Sequence, residues 1–169
     1  MKKKIVYILI FVAVLALLYI RATISTHAVK GEEGMIATAR KEIHNISEID
    51  KIEIRIAGKS TVGDKCLVWF ITGNEYQAHS YVPMEFTILQ NEEFAFSHRY
   101  NGIKRGRDIY CQIWGYGYSF LVNNGKCKSI KLEGHDGIKI IPVDSIPFVC
   151  YYFGFPGEYE FLDENGKPL

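Results

Sequence analysis

The sequence has no C-x-x-C pair, no H-x-H or H-x-x-x-H pair and no serine in a G-x-S-x-G elbow. Those gaps remove the usual signatures of a zinc ribbon, a thioredoxin-type redox site, a two-histidine metal site and a nucleophile-elbow hydrolase. Asp163-Glu164-Asn165-Gly166 lacks the alternating ligands and closing glutamate of a calcium loop and reads as a turn. No cofactor is expected from the sequence. A strong charge of either sign is also missing, since the 169 residues carry a formal +1. Four of the 20 basic residues, Lys2, Lys3, Lys4 and Arg21, flank one hydrophobic run, which leaves 16 against 19 acidic residues elsewhere. A mildly acidic domain is a poor match for nucleic acid, so no nucleic-acid partner is expected. Leucine is scarce too. After residue 21 isoleucine outnumbers it about three to one and aromatics are frequent, a composition that suits pleated, half-buried surfaces.

What is present begins with Ile5–Ile20, an uncharged apolar run behind three lysines. As a helix its 16 residues span about 24 Å, short of the roughly 30 Å hydrocarbon core by an amount that side-chain snorkelling and local thinning absorb. The lysines keep residues 1–4 in the cytoplasm by the positive-inside rule, and everything after Arg21 lies outside. The expectation is a single-pass membrane protein with a transmembrane signal-anchor at 5–20. The same pattern describes a signal h-region, and cleavage would make the protein secreted.

After a short linker at 21–30, residues 31–47 read as one amphipathic helix, with Met35, Ile36, Ala39, Ile43 and Ile46 on a stripe. From 48 to 169 the period changes to two. Ile52, Ile54 and Ile56 alternate with charges, while Cys66–Ile71 is apolar on both faces and predicts a central strand. Ala78–Leu89 contains Pro83, which predicts an edge strand or a bulge. Further strands are predicted over 94–100, 108–114, 118–122, 127–133, 138–143, 148–153 and 159–162. Asn-Gly and Asp-Gly pairs supply the turns between several of them. The fold class is therefore mainly β: an antiparallel sandwich or small up-and-down barrel of about 8–10 strands, preceded by one amphipathic helix and the transmembrane helix.

Cys66, Cys111, Cys127 and Cys150 are even in number and permit disulfides in an oxidising compartment, with the pairing open; Cys127, beside a turn, is the one expected to be accessible. Two clusters are candidate binding surfaces. Lys104, Arg105 and Arg107 crowd positive charge before one strand, suited to an anionic lipid or wall polymer. Trp114, Tyr116 and Tyr118 place flat rings around a turn, suited to a glycan or an envelope protein, and Tyr151–Phe155 adds more. The activity expected is non-enzymatic binding at the cell envelope; the alternative is a small extracytoplasmic enzyme or ligand-binding barrel.

Overall fold

The computed structural model describes residues 10–16, 28–43, 52–74, 77–135 and 137–169. In chain order the elements are α1 (10–16), β1 (Ala28–Lys30), α2 (Gly31–Glu42), β2 (Glu53–Val62), β3 (Lys65–Asn74), β4 (Gln77–Ile88), β5 (Glu93–Arg99), β6 (Ile103–Gly106), β7 (Ile109–Trp114), β8 (Gly117–Val122), β9 (Ser129–Gly134), β10 (Gly137–Pro142), β11 (Phe148–Phe153) and β12 (Glu158–Leu162). Every pairing is antiparallel. Sheet A has the order β1-β5-β4-β3-β2, sheet B β11-β8-β7-β6 and sheet C β10-β9-β12.

Helix α2 follows from the stripe. Met35 and Ala39 are fully buried, Ile43 nearly so, and Glu32, Glu33, Arg40 and Lys41 complement the helix dipole. The helix ends at Glu42 rather than near Ser47, because Ile43 leaves helical geometry at φ −92°, ψ 67° while its N–H still donates to Ala39. Ile46 lies outside the described residues.

The apolar face of α2 covers one face of sheet A, against Cys66, Val68 and Phe70 of β3 and Met84 and Phe86 of β4. The opposite side chains of β3, Leu67, Trp69 and Ile71, pack on Trp114, Leu121, Val149 and Tyr151 of sheet B. Sheet B in turn presents Ile109, Cys111, Phe120 and Val122 to Ile130, Leu132 and Phe161 of sheet C. The result is a stack of α2, sheet A, sheet B and sheet C with three apolar interfaces. It is sandwich-like, and sheets A and B close into a half-barrel where β2 approaches β11. There a Cβ on Gly58 would stand 2.6 Å from Val149 Cβ, so only glycine lets the two strands come this close.

Pro83 is neither on an edge strand nor at the bulge of β4. It lies inside sheet A, opposite Trp69 of β3. On its other side β5 pairing stops at Met84–Arg99, and the Pro83 carbonyl accepts from Tyr100 N–H at 2.9 Å. The missing proline N–H therefore falls where the ladder has already ended. A bulge at Ser97, between the pairs Glu85–His98 and Phe86–Phe96, turns Tyr100 to the face opposite Phe96. Alternation alone puts Phe96, His98 and Tyr100 on one side, and the extra residue overturns that.

Two strands lie where the sequence signals no strand. β1 is three residues long, too short for a period, and is held by pairing with β5; β6 coincides with the basic run and is broken by a bulge at Arg105. No helix among the described residues is long and apolar enough to cross a membrane. Of Ile5–Ile20, residues 10–16 are helical and exposed, and the rest of that run lies outside the described residues.

Candidate binding surface

The two surfaces suggested by the sequence approach each other at one ring: Tyr159 meets both Arg105 and, with centroids 5.5 Å apart, Tyr118, while Trp114 and Tyr116 lie farther along β7 and its turn. Lys104, Arg105 and Arg107 are exposed, but Arg105 is not a free cation. Its guanidinium lies 5.0 Å from the Tyr159 ring centroid, and the Tyr159 hydroxyl is 2.9 Å from the buried Cys111 thiol. Burial, then the Cys111 contact, push the Tyr159 phenol well above its ordinary pKa, against the opposing pull of Arg105. The trio of Arg105, Tyr159 and Cys111 is buried at its thiol end, where Cys111 lies in the interface between sheets B and C. It borders an open groove of about 510 Å³.

Of the predicted aromatic surface, Trp114 is not available. It is 4% exposed, facing sheet A, with its indole N–H donating to Glu85 Oε2 at 2.8 Å and its ring edge-on to Tyr151. Tyr118 is half-buried between Phe120 and Phe155. Tyr116 is 71% exposed, the end of β11 brings Phe153 (72%) beside it, and the connection that follows sets Phe155 (59%) against Tyr118. Tyr116 and Phe153 have ring centroids 6.4 Å apart, and Phe155 meets Tyr118 at 5.7 Å.

The backbone under this patch is fixed from both sides. Gly154 N–H donates to the Tyr116 carbonyl at 2.7 Å and Tyr116 N–H donates to the Tyr151 hydroxyl at 3.1 Å. Gly117 packs so closely on β11 that a Cβ would strike the Tyr152 carbonyl. The exposed rings thus stand on a tight two-strand base rather than on a long loop. The sequence names both aromatic runs, Trp114–Tyr118 and Tyr151–Phe155, but not that they meet, since only the β8–β11 register, Gly117 opposite Phe153, brings the two turns together.

A polar cluster that the sequence does not signal lies between sheets A and B. Glu85 Oε2 accepts from Trp114 Nε1 and from the Tyr100 hydroxyl (2.9 Å), and Lys65 Nζ sits 3.3 Å from Oε1. Burial pushes the Glu85 pKa up, but these three donors outweigh it and the carboxyl ends below its usual value. Every strong donor here is already spoken for, so the cluster fastens β4 to β7 and holds no open position for a ligand. Deeper in, Ser119 Oγ accepts from Trp69 Nε1 at 2.9 Å and contacts Ser60 Oγ at 3.0 Å.

The cysteines are free thiols. Cys66 belongs to the interface under α2, whereas Cys111 and Cys127 lie between sheets B and C with Cys150 against them. Cys111 and Cys150 both stand opposite Phe120, one on each side of β8, so their Cα atoms are about 10 Å apart and too far for a bridge. Cys127 is 1% exposed, not accessible: it turns inward ahead of β9 while the preceding Asn124 side chain holds the turn at Lys126 N–H. Among the described residues no group of His, Cys, Asp and Glu is arranged to hold a metal ion. The chain matches no protein-family model, no curated protein and no solved structure.

Proposed function

We propose that this protein is a non-catalytic interaction domain of a cell envelope, tethered to the membrane through Ile5–Ile20 with its β-rich part outside, and that it meets its partner through Tyr116, Phe153 and Phe155. The observation that carries the reading is the exposure of the neighbouring Tyr116 and Phe153 rings, with exposed Phe155 close by on Tyr118, on two turns whose backbone is tied together by hydrogen bonds. A folded chain gains nothing by leaving such apolar area in water unless something covers it. Rings fixed in advance lose little entropy on binding, the property that makes aromatic anchors effective in interfaces. The enzyme or ligand-barrel alternative needs an enclosed chamber with converging polar groups, and the spaces between the layers are taken up by side chains.

The test is site-specific photo-crosslinking of the full chain in native membranes, with the reactive side chain at Phe153 and, as a control, at Lys41 on α2. A discrete adduct at Phe153, missing at Lys41 and lost on adding Tyr116→Ala with Phe155→Ala, is the expected result. Identical adducts at both positions, or none at Phe153, would remove the patch from consideration. Extraction of the protein from membranes by alkaline carbonate would remove the tether.

A further inference from the structure

Most sheet edges in this fold are guarded. β1 is three residues long, β6 is broken by its bulge, and β2 and β11 lie against each other at Gly58 and Val149. β10 carries Lys139 and Pro142, two residues that discourage strand addition. The outer edge of β12 is different.

Residues near the C-terminus already run along that edge as an antiparallel strand. Leu162 and Pro168 form a bridge, flanked by Leu169 N–H donating to the Phe161 carbonyl and Asp163 N–H donating to the Lys167 carbonyl, both at 2.9 Å. Since a strand's backbone groups alternate sides, the N–H and C=O of Tyr159 point the same way as those of Phe161. Among the described residues no strand pairs with them. The groove of about 510 Å³ continues from Leu169 past Phe161 and Tyr159 to Gly157, with Arg105 as its other wall. Gly157 to Glu160 is about 13 Å of open edge.

The side chains specify what fits. Tyr159 and Phe161 face sheet B, and Glu158 and Glu160 face outward beside Glu133. Lys131 lies 3.5 Å from Glu133 and 3.2 Å from Glu160, and Glu158 has no cation within ion-pair distance among the described residues. The outer face of this edge is therefore net acidic. A second copy of the chain is a poor occupant, because self-pairing sets Glu158 and Glu160 against their own kind. We infer that the open edge of β12 accepts an extended peptide of a partner protein as an added antiparallel strand, with basic side chains at alternate positions toward Glu158 and Glu160 and apolar ones toward Tyr159. This surface uses none of the three exposed rings and stands independently of them.

The probe is a capped heptapeptide alternating lysine and valine, titrated into the full chain in uncharged detergent micelles and followed by anisotropy and amide resonances. Saturable binding that shifts the Tyr159 and Phe161 amides is expected. N-methylating every second peptide residue removes the donors on one edge only, so one phase should lose about tenfold in affinity and the other should bind as the parent does. Glu158→Gln with Glu160→Gln should weaken binding severalfold, and a peptide with glutamate in place of lysine should not bind. Equal affinity of the two methylated phases, resonance shifts confined to other strands, or no binding at millimolar peptide would each overturn the proposal.

Discussion

Replacing Gly58 by alanine tests the closure of sheets A and B at a single contact. The new methyl carbon would lie 2.6 Å from Val149 Cβ and 2.8 Å from its Cγ2, about 1 Å inside the 3.5–4.0 Å optimum for two carbons. Since β2 and β11 are both held in ladders, the strain is relieved by shifting strands rather than by rotating a side chain. Overpacking of this kind costs about 1–3 kcal/mol. For a domain of this size 1 kcal/mol moves Tm by about 3 °C, so thermal unfolding followed by circular dichroism should shift down by roughly 3–9 °C. The pair also defines a double-mutant cycle. With Val149→Gly in place the same substitution should cost less than about 0.5 kcal/mol, because the clashing atoms are gone. An equal loss in both backgrounds would refute the argument and place the cost in the β2 bulge, where Ala57 lies between the paired residues Ile56 and Gly58.

Glu85→Ala should cost about 2–4 kcal/mol in urea unfolding, since it strands the Trp114 and Tyr100 donors, while Glu85→Gln should cost about half as much. Because the folded-state pKa of Glu85 is depressed, its contribution is present above about 4.5 and is lost as pH falls below that; the acid limb of a stability–pH curve should flatten in Glu85→Gln. At the other end, burial first and then acidic neighbours push Tyr81 and Tyr100 up to about 12. A raised phenol pKa gives stability that is complete below about 10 and lost as pH rises from there to about 12, so phenolate absorbance and unfolding should rise together over that window. Burial also pushes the thiols of Cys66, Cys127 and Cys150 up, the last to about 12, so iodoacetamide should leave these three unmodified near neutral pH until denaturant is added.

How far the sequence carries depends on whether a residue's role is local. The stripe Met35–Ala39–Ile43 and the doubly apolar run Cys66–Ile71 state their positions outright, since a period and its phase identify both the element and its buried face. The predicted strands are all present, most with ends moved by one or two residues, while β2 runs on to Val62 and β3 to Asn74. Roles set by register are not legible in this way. The bulge at Ser97 reverses the phase of Tyr100, and Pro83 is tolerated only because β5 stops opposite it. Trp114 and Tyr116 sit two residues apart in the same turn, yet one reaches Glu85 and the other reaches water. Phe153 joins Tyr116 through a strand pairing that no short-range signal encodes. The basic run reads in the sequence as a patch for an anionic partner, whereas the Arg105 stack on Tyr159 depends on sheet C lying over sheet B.

The order of the layers also limits where this molecule can change. One face of sheet A lies under α2, and sheet B is covered on both sides, so substitutions there are judged first by volume and only then by chemistry. Among the described residues the exposed face of α2, the outer face of sheet C, the strand edges and the turns stand outside that constraint. Natural variants should thus differ at the rim while the strata stay the same, and new specificities would arise by redecorating a perimeter rather than by hollowing out a centre.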